Sequence, residues 1–124
     1  MMNVYLSGGM RSGWQQKVIE ACPNIHFINP CDHGLIDSKY YSVWDILAVD
    51  VCDVVLAYME SDNPSGLGLA YECGYARGKG KLVIMVDDKM DRYMKIVHEH
   101  IVLVPSLDEA IKFLNSLSKI WREK

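Results

Sequence analysis

Long apolar runs are missing from this chain of 124 residues. None approaches the roughly 20 residues that a membrane-spanning helix needs, so no membrane partner is expected. The start, MMNVYLSGG, carries neither a basic segment nor the apolar stretch of a secretory leader, which points to a cytoplasmic protein. Cysteine is scarce: Cys22, Cys31, Cys52 and Cys73 show no C-x-x-C spacing, which disfavours a thiolate metal centre and fits reduced thiols. Positive charge is not in excess either. The net charge of −3 comes from interspersed acids and bases, without the basic stripe that a nucleic-acid polymer requires; a small nucleotide held by one or two cations and backbone donors remains compatible. No repeat or linker-like stretch divides the chain, and its length suits one domain, residues 1–124.

What is present is an alternation of short apolar runs and longer helical patterns. Strands are expected at 3–7, 25–29, 53–59 (DVVLAYM), 81–86 (KLVIMV) and 101–104. Helices are expected after the loop at 8–13, from about 40 to 52, from 65 to 79 with Ser65 as N-cap, and after Ser106, which forms a capping box with Glu109. Leu107, Ala110, Ile111, Leu114 and Leu117 repeat at helical spacing in the last of these. The tail at 119–124 reads as a solvated helix end. Unbroken β-branched strands, each followed by a helix, imply a five-stranded parallel sheet with helices on both faces, a flavodoxin-like three-layer α/β sandwich. Ligands of such sheets bind beyond the carboxyl ends of the strands, beside the first strand.

The segment SGLGLAYECGYARGK is the most informative. Gly66, Gly68, Gly74 and Gly78 fall within it, and an interior glycine costs roughly 0.5–1 kcal/mol relative to alanine, so close approach of a ligand or of the sheet is expected there. Glu72 shares a face with Leu69, Cys73 and Ala76; a carboxylate on an apolar face either meets a cavity or is buried at large cost. The positive end of the helix dipole favours its ionised form, as a nucleophile requires. Asp45, Asp50 and Asp53 punctuate WDILAVDVCDV, and one of them meeting Glu72 over a ligand would make the carboxylate pair of a glycosidase. Asp53 also suits a hydrogen-bonding role at the start of its strand. The loop Gly8, Gly9, Met10, Arg11, Ser12, Gly13 offers backbone donors and a guanidinium for a phosphate or sugar hydroxyls. It matches neither G-x-G-x-x-G nor G-x-x-x-x-G-K-[ST], and no cofactor is expected. Tyr5 is either core or a hydrogen-bonding wall of the site. His98 and His100 share one side of a segment read as extended, with no third ligand in view, and no metal is expected.

Three motifs, VYLSGGMRSG, WDILAVDVCDVVLAY and GLAYECGYARGKGK, resemble in order and spacing those of the nucleoside 2-deoxyribosyltransferase family and its relatives, the deoxynucleoside 5′-monophosphate N-glycosidases. The resemblance runs from Tyr5 to about Lys81. It implies an enzyme of nucleotide salvage that transfers a deoxyribosyl group between nucleobases, or hydrolyses the N-glycosidic bond, through a covalent glycosyl-Glu72 intermediate. Asp45 then assists protonation and departure of the base, and Tyr5 holds the nucleophile's carboxylate. It also implies a homo-oligomer, a dimer or larger, with shared sites, to which His100 would contribute. Two positions depart from the family pattern. Gly66 stands where an aspartate or serine is usual six residues before the nucleophile, with Ser65 or Asp62 as substitutes for recognising the sugar. Met10-Arg11 resembles the monophosphate hydrolases, so that Arg11, Ser12 and Gly13 would hold a 5′-phosphate.

Overall fold

The computed structural model describes residues 1–121; the end of the tail, at 122–124, lies outside the described residues. Strands β1 (Asn3–Gly8), β2 (His26–Ile28), β3 (Val54–Met59), β4 (Leu82–Asp87) and β5 (Val102–Val104) form one sheet in the order β2-β1-β3-β4-β5. All four pairings are parallel, the flavodoxin-type order with its switch point at β1. The main helices are α1 (Trp14–Ala21), α2 (Ser38–Val51), α3 (Leu67–Gly78) and α5 (Leu107–Ile120), with a single turn, α4 (Lys95–His98), before β5.

Side-chain parity along the strands divides the core. Val4 and Leu6 of β1 join Val54, Leu56, Ile84 and Val86 under α1 and α5. Tyr5 lies on the opposite face with Val55, Ala57, Val83 and Met85, under α2 and α3. Ser7, two residues on and fully buried, shares that face with Tyr5. One strand therefore delivers a phenol and a hydroxyl toward the two helices that carry Asp45 and Glu72.

Local chemistry sets the helix boundaries. Asp37 caps α2 by accepting the Lys39 N–H at 3.0 Å, and Ser106 caps α5 by accepting that of Glu109 at 3.2 Å. The expected Ser65 cap of α3 is displaced by one residue: Gly66 is the N-cap, with φ +75°, while the Ser65 hydroxyl accepts the Leu67 N–H. A Cβ at Gly66 would also come within 2.4 Å of the buried Met59 Cε, so neither aspartate nor serine fits there without strain. The packing expected at Gly74 and Gly78 is not found among the described residues, because a Cβ at either meets nothing within 4 Å. The segment read as extended around His98 is helical, and His98 bonds Asp87 at 2.7 Å. Asp53 has the structural role, accepting the Asn3 N–H at 2.8 Å. Cys22, Cys52 and Cys73 are free and buried, and Cys31 is free and exposed.

Gly66→Ala combines a left-handed backbone with a crowded Cβ. It is expected to lower stability by about 1–2 kcal/mol, read as a lower urea midpoint with an unchanged slope.

Candidate active site

A cavity of about 1040 Å³ opens at the carboxyl end of β1. Its floor is Tyr5, Asp45 and Glu72; its walls include Gly8 and Gly9 after β1, Leu35 and Ile36 after β2, and Ser65 to Leu69 at the start of α3. The post-β1 loop is pinned from below: the indole N–H of Trp14 and the amide N–H of the buried Gln15 both donate to the Gly9 carbonyl at 2.8 Å. Gly8 must be glycine, since a Cβ would stand 2.5 Å from the Tyr58 carbonyl oxygen. The loop before α3 is tethered by the Tyr93 hydroxyl donating to the Ser65 carbonyl and by Lys89 Nζ donating to that of Asn63.

The floor is an electrostatic cluster. The Ser7 hydroxyl donates to Glu72 Oε1 at 2.7 Å. Burial, against that bond, lifts the Glu72 carboxyl from its ordinary 4.5 to about 7, with the neighbouring Asp45 charge adding to the rise. The expectation that the helix dipole keeps Glu72 ionised is thereby corrected. Glu72 lies in the second turn of α3, beyond the reach of the dipole, and desolvation dominates. Burial also raises Asp45, opposed by His33 and by hydrogen bonding with Tyr5 and Glu72. The Tyr5 hydroxyl, pushed far upward by burial and by both carboxylates, stays protonated as their donor. The two carboxyls are electrostatically coupled, each raised by burial, so their titrations belong to the pair.

The structure gathers Tyr5, Gly8, Gly9, Asp45, Ser65, Gly66 and Glu72 on the one cavity. Arg11, Ser12 and Asp62 line a separate, adjoining pocket of about 310 Å³ with Glu60, which shares Gly9, Met10 and Asn63 with the main cavity. Gly13 lines neither and serves as the left-handed N-cap of α1. His100, exposed after α4, also lines neither. Two functional groups were missed. Ser7 is two residues beyond Tyr5, and strand parity alone places it beside Glu72. His33, with Nε2 3.7 Å from Asp45 Oδ1, sits in an aperiodic loop that gave no signal.

Solved structures match the whole architecture. The chain superposes with TM-score 0.71 on a 2-desoxiribosyltransferase from Leishmania mexicana, at 14% identity over 98% of this chain and 100% of that one. The chain has the fold of a 2-deoxyribosyltransferase. A CMP N-glycosidase of Clostridium botulinum matches with TM-score 0.66 at 17% identity, over 92% and 98% of the two chains. The 2-deoxyribosyltransferase of Bacillus psychrosaccharolyticus matches with 0.65 at 14% identity, over 88% and 90%. No family model and no curated protein matches by sequence.

The raised Glu72 pKa has a stability consequence with a definite sign. The folded state binds this proton more tightly than the unfolded chain, so the contribution is fully present below about pH 4.5 and is lost as pH rises through about 7. Above that, an ionised Glu72 costs the fold roughly 3 kcal/mol. Glu72→Gln, which keeps an acceptor for Ser7 without the charge, is expected to raise the melting temperature at pH 8 and to leave it near wild type at pH 4.5.

Proposed function

We propose that the protein acts on the N-glycosidic bond of 2-deoxyribonucleosides or their 5′-monophosphates, transferring the deoxyribosyl group between nucleobases through a covalent glycosyl-Glu72 intermediate. The observation that carries this is the pairing of Glu72 with Asp45 over Tyr5 on the floor of an open cavity; the fold shared with deoxyribosyltransferases and an N-glycosidase supports it. The proton of the pair rests on Glu72, and its shift to Asp45 leaves Glu72 ionised for attack. The Glu72 carboxylate attacks C1′ as the C–N bond breaks; the bonding pair goes to the base nitrogen, and the base takes the Asp45 proton. A second base, or water, then attacks C1′ and frees Glu72. Tyr5 and Ser7 hold the nucleophile by hydrogen bonds. The apolar walls, Leu35, Ile36, Leu47 and Leu67 among them, suit the faces of a nucleobase.

Hydrolysis of a 5′-monophosphate is the second reading. It is favoured by Arg11 and Ser12 lining the pocket that adjoins the main cavity, although Glu60 and Asp62 line it too and oppose a phosphate there. Incubation of deoxynucleosides and their monophosphates, with and without a second base, decides between the readings by the products separated on a column. Glu72→Ala is expected to lower base release at least about 1,000-fold. The pH profile of kcat/KM is expected to be bell-shaped. Its alkaline limb lies near pH 7, where the pair loses its last proton, and its acid limb is where the pair takes up a second one. A rate unchanged between about pH 6 and 9 contradicts this assignment.

The same reading includes a homo-oligomer with shared sites. Val43, Leu47 and Val51 on α2, and Leu67 and Tyr71 on α3, are each more than half exposed. Gly74 and Gly78 continue the α3 stripe at helical spacing, with open space above them. Leu47, Leu67 and Tyr71 also rim the cavity, so a second copy seated on this stripe would close it. Light scattering is expected to give a dimer or larger for the wild type, and Leu47→Glu with Tyr71→Glu is expected to give a monomer with a raised KM.

A further inference from the structure

His33 follows a short helical turn at Pro30–Asp32, and its side chain is only 4% exposed. Its ring lies edge-on to Trp44, with centroids 4.8 Å apart, and parallel to Tyr41. Nδ1 accepts the Leu35 backbone N–H at 2.8 Å. That bond leaves Nδ1 without a proton and places the imidazole proton on Nε2. Nε2 in turn faces Asp45 Oδ1 at 3.7 Å, and each of these two buried atoms is without a hydrogen-bond partner among the described residues. The separation lies just beyond hydrogen-bond range, as contacts in an empty catalytic site often do before substrate tightens them. Leu35, whose N–H fixes the ring, is itself a wall of the cavity, with Ile36 beside it.

We propose that His33 is a positioning residue for Asp45: its Nε2–H orients the carboxylate and offsets the charge left there when the proton passes to the departing base, while Nδ1 ties Asp45 to the cavity-lining loop. This rests on the N-glycosidic reading above. No bond to substrate is involved; the ring acts only through Asp45. The titratable groups facing Asp45 are His33 from the loop, Tyr5 from β1 and Glu72 from α3. His33, then hydrogen bonding with Tyr5 and with Glu72, favour the ionised carboxylate against burial. The arrangement parallels the orientation of an imidazole by a buried aspartate in hydrolase triads, with the roles of the two groups exchanged.

Two amide substitutions divide the functions of the ring. His33→Asn retains an acceptor near Nδ1 for the Leu35 N–H but removes the donor toward Asp45. His33→Gln places an N–H near Nε2 and loses the loop anchor. Carboxyl-carbon NMR of labelled aspartate follows Asp45 directly, beside steady-state kinetics. His33→Asn is expected to move the Asp45 titration to higher pH, to carry the alkaline limb of kcat with it, and to lower kcat roughly ten-fold or more at little change in KM. His33→Gln is expected to restore the titration and kcat and to raise KM. Nitrogen NMR of the wild-type imidazole, which needs no variant, is expected to show the proton on Nε2. A proton on Nδ1, or an Asp45 titration unmoved in His33→Asn, overturns the proposal whatever the activity. A moved titration in a protein that releases no base upholds the pairing and refutes the enzymatic reading instead.

Discussion

Crowding of two carboxyl groups in a poorly solvated pocket is the constraint on which the site depends. Glu72 and Asp45 line one cavity with Tyr5, and burial raises both. The sheet and helices cover most of the pair and leave it open only toward the cavity. The protein thereby stores unfavourable electrostatics where chemistry would use it, a familiar trade of stability for activity. A carboxylate desolvated in this way is a stronger nucleophile, and a carboxyl held protonated near neutrality is a usable acid.

The fold supplies that pocket by parity and topology. Alternation along β1 sends Tyr5 and Ser7 toward α2 and α3 while Val4 and Leu6 anchor α1 and α5. Because β1 pairs with both β2 and β3, the loops after all three strands converge at one edge, and the cavity forms between them. The same residues that shape the pocket also constrain it. Gly8 lets the first loop cross the Tyr58 carbonyl, and Gly66 turns the chain into α3 against Met59. His33 adds a connection between the second of these loops and the acid of the pair.

The sheet was legible because each strand is an unbroken apolar run bounded by turn residues, and five such strands in so short a chain suit the flavodoxin-like order. Glu72 stood out as a charge on an apolar helical face, and the motif resemblance drew Asp45 and Tyr5 to it. Other features depended on tertiary contacts that periodicity does not carry. The ionisation of Glu72 was misjudged because a dipole argument treats the helix alone, whereas the sheet beneath sets the solvation. The cap at Gly66 and the helical turn ending at His98 follow from packing against Met59 and pairing with Asp87. Gly74 and Gly78 meet nothing among the described residues that explains them. Arg11 lines a side pocket with Ser12, Glu60 and Asp62, a placement that depends on the fold of the loop and not on its composition.

The most direct test of the central claim is to quench the protein during incubation with a deoxynucleoside near pH 6 and map its mass by peptide. One added deoxyribosyl unit is expected on the peptide that contains Glu72, lost on addition of a free base and absent in Glu72→Gln. Turnover with no adduct on that peptide, or an adduct on another residue, would contradict it.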